Sequence, residues 1–167
     1  MFAKGKGSIL LAFDYLLDDE SDLSLVRNPE IFFKALKKVV PESGMTLREG
    51  FLDVWEDPTN GPMSVFISIA ESHIRVETWP DEFHVNGEVQ LCHYSRDNSK
   101  AAVGILERIQ EMINPSSGQI LRISRGPGLI LTPEIKVTFR RGQPLVVEGF
   151  SVGSPNLSEV LLSGTGR

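Results

Sequence analysis

The chain has one cysteine, Cys92. That excludes an internal disulfide framework and a cysteine-rich zinc site. It has three histidines, His73, His84 and His93. None is paired with another ligand at helical or hairpin spacing, so no metal site is expected. No apolar run approaches the roughly 20 residues of a membrane span. Basic runs are absent too, and 17 Lys+Arg against 22 Asp+Glu leave a net charge of −5, a poor composition for binding nucleic acid. The N-terminus, Met1-Phe2-Ala3-Lys4-Gly5-Lys6-Gly7, lacks the long apolar segment of a signal peptide, so a cytoplasmic location is expected. Gly5-Lys6-Gly7 and Gly126-Pro127-Gly128 do not match a phosphate-cradling loop.

What is present suits one soluble domain with an appendage. The chain is 167 residues long, 41% hydrophobic and 23% charged, and a domain of that size buries roughly 70% of its surface on folding. Ser8 to Tyr15 reads as a strand. Asn28-Pro29-Glu30 is a helix start, since Asn can cap and Pro fits the first helical position. Ile31, Phe32, Ala35, Leu36, Val39 and Val40 then form one apolar stripe, which Pro41 to Gly44 ends. Strands follow at Met45–Trp55, Met63–Ala70, His73–Trp79 and Val85–Tyr94. Asp97-Asn98 caps a second helix with Ala101, Ala102, Ile105, Ile109 and Met112 on its apolar face. Gln119 to Ser124 is a further strand. Consecutive short strands imply antiparallel pairing, and two amphipathic helices can cover one face. The expected fold is therefore an α+β two-layer sandwich, an antiparallel sheet with two helices packed on one face. It spans residues 1–125. Residues 126–167 form a C-terminal extension, with a β-hairpin around Arg140-Arg141-Gly142-Gln143-Pro144 and a frayed tail.

Side chains alternate faces along a strand. Val65, Ile67, Ile69, Ile74, Val76, Val89 and Leu91 should meet the helices. The opposite face collects Ser64, Ser68, Arg75, Glu77, Gln90 and Cys92. That density of hydroxyl, charge and thiol marks a site or a subunit interface; a merely solvated sheet face is the alternative.

The segment Glu71-Ser72-His73-Ile74-Arg75-Val76-Glu77-Thr78-Trp79-Pro80-Asp81 resembles the processing segment of prokaryotic S-adenosylmethionine decarboxylase proenzymes, which carry Glu-Ser-His-Ile and then Thr-Trp-Pro-Glu in the same register. The resemblance covers roughly residues 8 to 125. Cys92 stands where that family has its catalytic cysteine, and Ser64 where it has its processing serine. The resemblance implies a self-cleaving pyruvoyl enzyme of polyamine (spermidine) synthesis. Ser72 would attack the Glu71 carbonyl, and the resulting ester would break to leave a pyruvoyl group at position 72. That carbonyl would form a Schiff base with the substrate amine and take up the electrons released with carbon dioxide. Cys92 would return a proton to the α-carbon. The cofactor is thus made from Ser72, with no metal, and the partners implied are a small-molecule substrate and a second copy in a homodimer, its site near the subunit boundary.

Three departures stand out. The family's processing histidine is Glu77 here, which could be the base for ester breakdown or a plain ion-pair partner of Arg75. Phe-Thr-Cys-Gly is replaced by Gln90-Leu91-Cys92-His93. The region of the adenine-stacking aromatic carries Phe51 and Trp55, candidates for substrate binding, with an insertion through Pro62. Two alternatives therefore accompany decarboxylation of S-adenosylmethionine: decarboxylation of another amino acid such as arginine or ornithine, and a non-processing binding or regulatory subunit.

Overall fold

A computed structural model describes residues 7–18, 23–55, 57, 61–94, 96–126 and 131–149. The elements are β1 (Ser8–Leu16), α1 (Pro29–Glu42), β2 (Leu47–Val54), β3 (Met63–Ile69), β4 (Ser72–Trp79), β5 (His84–Cys92), α2 (Ser99–Ile113), β6 (Ser117–Arg125), β7 (Leu131–Arg140) and β8 (Val146–Glu148), with a 3-10 turn at Pro80–Glu82. The strands form one antiparallel sheet in the order β2-β3-β4-β5-β1-β6-β7-β8.

The alternation seen in the sequence sets the two faces. Met63, Val65, Ile67 and Ile69 on β3, Ile74 and Val76 on β4, Val85, Val89 and Leu91 on β5, and Ile9, Leu11, Phe13 and Tyr15 on β1 are all buried. They meet Phe32, Leu36, Val39 and Val40 of α1 and Ala102, Ile105, Leu106 and Ile109 of α2 in one core. Helix α1 lies over β2 and β3, and α2 over β1 and β5. The fold is the expected α+β sandwich, with both described helices on one face. The hairpin of β7 and β8 continues the same sheet through β6. The expected frayed tail lies outside the described residues.

Helix α1 starts as its sequence predicts: the Asn28 side chain accepts from the Ile31 N–H at 3.3 Å, with Pro29 first in the helix. It runs on through Pro41 to Glu42. Helix α2 is capped by one of the two residues expected to do so. The Asn98 side chain makes no capping bond; Asp97 instead accepts from the Ser99 N–H at 2.8 Å. Asn98 has another partner, because the end of β5 lies within its reach.

Candidate active site

The link from β3 to β4 is a two-residue turn, Ala70-Glu71, with Ile69 paired to Ser72. Favoured two-residue hairpin turns need positive φ within the turn, and neither Ala70 nor Glu71 has it. The departure falls on Ser72, at φ +156°, a region of backbone space used almost solely by glycine and worth of order 1–3 kcal/mol of strain. The turn is pinned on both sides. The Ala70 N–H donates to the Thr46 carbonyl at 2.9 Å, and the Cys92 N–H donates to the Glu71 carbonyl at 2.8 Å. Cys92, the last residue of β5, is thereby held against the Glu71–Ser72 peptide bond. Its own carbonyl accepts from the Asn98 side-chain amide at 2.7 Å, and Asn98 is buried. The N-terminus of α2, the end of β5 and the β3–β4 turn thus form one hydrogen-bonded chain. Beside it, the Glu71 Oε2 atom is buried with no hydrogen-bond partner among the described residues.

A second cluster sits five residues further along β4. Ser64 on β3 pairs with Glu77 on β4. Glu77 Oε1 accepts from the Arg75 guanidinium at 2.8 Å. Five residues of strand at about 3.3 Å each separate the two clusters by roughly 16 Å. One chain therefore brings Glu71, Ser72 and Cys92 together, and Ser64 and Glu77 together, but keeps the two groups apart.

The aromatic candidates occupy the face without helices. The Phe51 and Phe66 ring centroids are 6.5 Å apart, and Phe66 stacks on His73 at 5.3 Å. Phe51 is 57% and Phe66 38% exposed. Trp55 lies elsewhere, edge-on to Trp79 at 5.0 Å, with its indole N–H donated to Asp53. Phe51 thus shares a face with His73 but is separated from it by Phe66 of β3, while Trp55 packs at the far end of β4. Asp97, at the start of α2, is held below the ordinary carboxylate range by the Ser99 hydroxyl and then the Ser99 N–H.

The sequence did not single out four residues that the fold adds here: Phe66, His73, Glu88 and Asn98. His73 lies inside the conspicuous motif, but periodicity alone gave no sign of its partner. The His73 Nε2–H donates to Glu88 Oε1 at 2.9 Å, and Ser72 Oγ lies 3.4 Å from His73 Nδ1. Among the described residues no group of three or more His, Cys, Asp or Glu residues could hold a metal ion, and no helix is long and apolar enough to cross a membrane.

A family model described as S-adenosylmethionine decarboxylase matches residues 18–126. An S-adenosylmethionine decarboxylase proenzyme from Thermomicrobium roseum is 30% identical over 93 residues, which is 56% of this chain and 75% of that protein. The crystal structure of the adenosylmethionine decarboxylase from Aquifex aeolicus matches with a TM-score of 0.56 at 22% identity, over 77% of this chain and 95% of that one. That last likeness bears on the fold alone.

Proposed function

Because the chain belongs to the S-adenosylmethionine decarboxylase family, we propose that it decarboxylates S-adenosylmethionine, as a step of polyamine synthesis, through a pyruvoyl group made from its own Ser72. The observation that carries the proposal is the 2.8 Å bond from the Cys92 N–H to the Glu71 carbonyl. If Ser72 Oγ attacks that carbonyl carbon, the oxygen becomes an oxyanion. A fixed N–H aimed at that oxygen stabilises the charge without reorganising. The strained Ser72 backbone raises the energy of the peptide before it reacts, in the same direction.

The later step belongs to other residues. The Ser72 α-proton leaves, the Glu71 carboxylate is expelled, and one water replaces the nitrogen as ammonia. Residues 1–71 and 72–167 become separate chains. The pyruvoyl carbonyl supplies an electron sink for the pair released with carbon dioxide. The residues around position 72 suit such a group, since the first position of β4 is half-buried and Cys92 adjoins it. The Cys92 thiol is the proton donor to the product α-carbon. Phe51, on the same sheet face one strand beyond Phe66, is the candidate aromatic surface for the substrate ring.

Ser64 and Glu77 enter as the second half of a composite site in a homodimer. Roughly 16 Å of strand keeps them from Ser72 in their own chain, and the exposed Phe51 and Phe66 give the open sheet face an apolar surface for a second copy.

Intact-mass analysis of fresh protein, combined with carbon dioxide release from S-adenosylmethionine, tests the proposal. Fragments ending at Glu71 and beginning at a pyruvoyl-blocked position 72 are expected, with turnover abolished by Ser72→Ala. A single uncut species that releases no carbon dioxide overturns it.

A further inference from the structure

Resting on the self-cleavage just described, we propose that His73 is the general base that activates the Ser72 hydroxyl, and that Glu88 is the positioning residue that sets its tautomer. A carboxylate can only accept a hydrogen bond. The 2.9 Å contact between His73 Nε2 and Glu88 Oε1 therefore places the proton of a neutral imidazole on Nε2. Nδ1 is left as the basic nitrogen, and it is the atom that faces Ser72 Oγ, at 3.4 Å. Carboxylate, imidazole and hydroxyl stand in the order used to activate serine nucleophiles on unrelated folds.

Successive residues of a regular strand point to opposite faces. A Ser–His contact between neighbours is therefore not a routine product of β-geometry, and here it accompanies the irregular φ of Ser72. The ring is fixed on a second side by Phe66, stacked at 5.3 Å with 25° between planes. Arg75 stands directly opposite Glu88 across the strands, yet it bonds Glu77. The Glu88 carboxylate therefore remains with His73. On this face the charged neighbours of His73 are Arg75 on its own strand, Glu88 on β5 and Glu49 on β2, whose register partner Ser68 faces His73. The dyad is half-buried, at 23% and 28% exposure.

The step balances without a co-reactant. The Ser72 Oγ proton passes to His73 Nδ1 as Oγ bonds to the Glu71 carbonyl carbon. The carbonyl π-pair moves to the oxygen held by the Cys92 N–H. When the C–N bond breaks, the imidazolium returns its proton to the Ser72 nitrogen, leaving an ester and a free amine.

The test is a time course of chain cleavage by intact mass, with and without hydroxylamine, which traps the ester as a hydroxamate at Glu71. It is run on the parent, His73→Gln and Glu88→Gln between pH 5 and 9. Loss of a general base typically costs about 10²–10⁴-fold, and that slowing of ester formation is expected for His73→Gln. The parent rate should depend on pH, and His73→Gln should lose that dependence. Glu88→Gln can donate to Nε2 and favour the wrong tautomer, so it should slow the reaction while leaving the thermal melt near the parent's. A structural dyad would instead shift the melt and spare the pH profile. If the parent cleaves and His73→Gln matches its rate and profile, the assignment is overturned and self-cleavage stands. If the parent yields neither fragments nor a hydroxamate, both fall.

Discussion

Arg75 and Glu88 face each other across β4 and β5, but they do not pair. The Arg75 guanidinium turns along its own strand to Glu77 at 2.8 Å, and Glu88 accepts from His73 at 2.9 Å. One cation thus occupies Glu77 and leaves the neighbouring carboxylate to an imidazole.

The Arg75–Glu77 pair is part-exposed, with Arg75 at 43%, and such pairs are worth about 0–1 kcal/mol. Replacing Glu77 should therefore change chemistry far more than stability. Glu77→Gln should slow fragment release about 100-fold, within the usual range for a lost acid–base group, with an unchanged melt. Glu77→His should cleave at least as fast as the parent. Intact-mass time courses on the three proteins check this, and a Gln variant that cleaves at the parent rate removes Glu77 from the reaction.

Much of this arrangement was legible beforehand. Alternation along Met63–Ile69, Ser72–Trp79 and His84–Cys92 fixed which side chains face the helices, because burial on one face demands a period of two. The ion pair of Arg75 with Glu77 followed as one of the two readings that their two-residue spacing on one strand allows. The hydrogen bond from Cys92 to Glu71 did not, because it depends on how β5 ends beside the β3–β4 turn. Nor did the bond from His73 to Glu88, a diagonal contact that exists because Arg75 points elsewhere. Asp97-Asn98 reads as a helix cap; Asp97 fills that role by accepting from the Ser99 N–H, while the Asn98 side chain bonds the Cys92 carbonyl.

That position gives a second prediction. Asn98→Ala removes the donor to the Cys92 carbonyl, and leaving a buried acceptor unsatisfied costs about 1–3 kcal/mol. Asn98→Asp puts a second acceptor against it and should be worse at neutral pH. Urea unfolding should show both losses. Cleavage should slow in the same order, since the Cys92 N–H that faces the Glu71 carbonyl belongs to the same loosened strand end.

Gly87 is required for packing between the site strands. It lies opposite Phe13 on β1 and Val76 on β4. A β-carbon there would collide with the Arg75 carbonyl oxygen and approach Phe13 Cζ to 2.7 Å. Overpacking of this kind costs about 1–3 kcal/mol, so Gly87→Ala should lower the urea midpoint with little change in slope.

Asp97 gives a pH dependence with a definite sign. Its folded pKa is lowered by the Ser99 hydroxyl and N–H, below the unfolded value of about 3.9. Its contribution is therefore complete above that unfolded value and is lost as pH falls through the folded one. The side chain is 67% exposed, so the effect is small. Asp97→Asn should be less stable than the parent at pH 6, and the gap should narrow by pH 3 in paired urea titrations.

The composite site makes the sharpest prediction, because it concerns which chain acts on which. Ser72→Ala cannot form the ester and should stay uncut alone, and Glu77→Gln lacks the group assigned to its breakdown and should cleave about 100-fold more slowly than the parent. Co-expressed, they form mixed dimers. One site then joins Ser72 of the Gln variant to Glu77 of the Ala variant and is intact; the other carries both defects. Cleavage should accelerate, and only in the chain bearing Glu77→Gln, which intact mass distinguishes from its partner. If mixed dimers cleave no faster than Glu77→Gln does alone, Ser72 and Glu77 do not act across a subunit boundary.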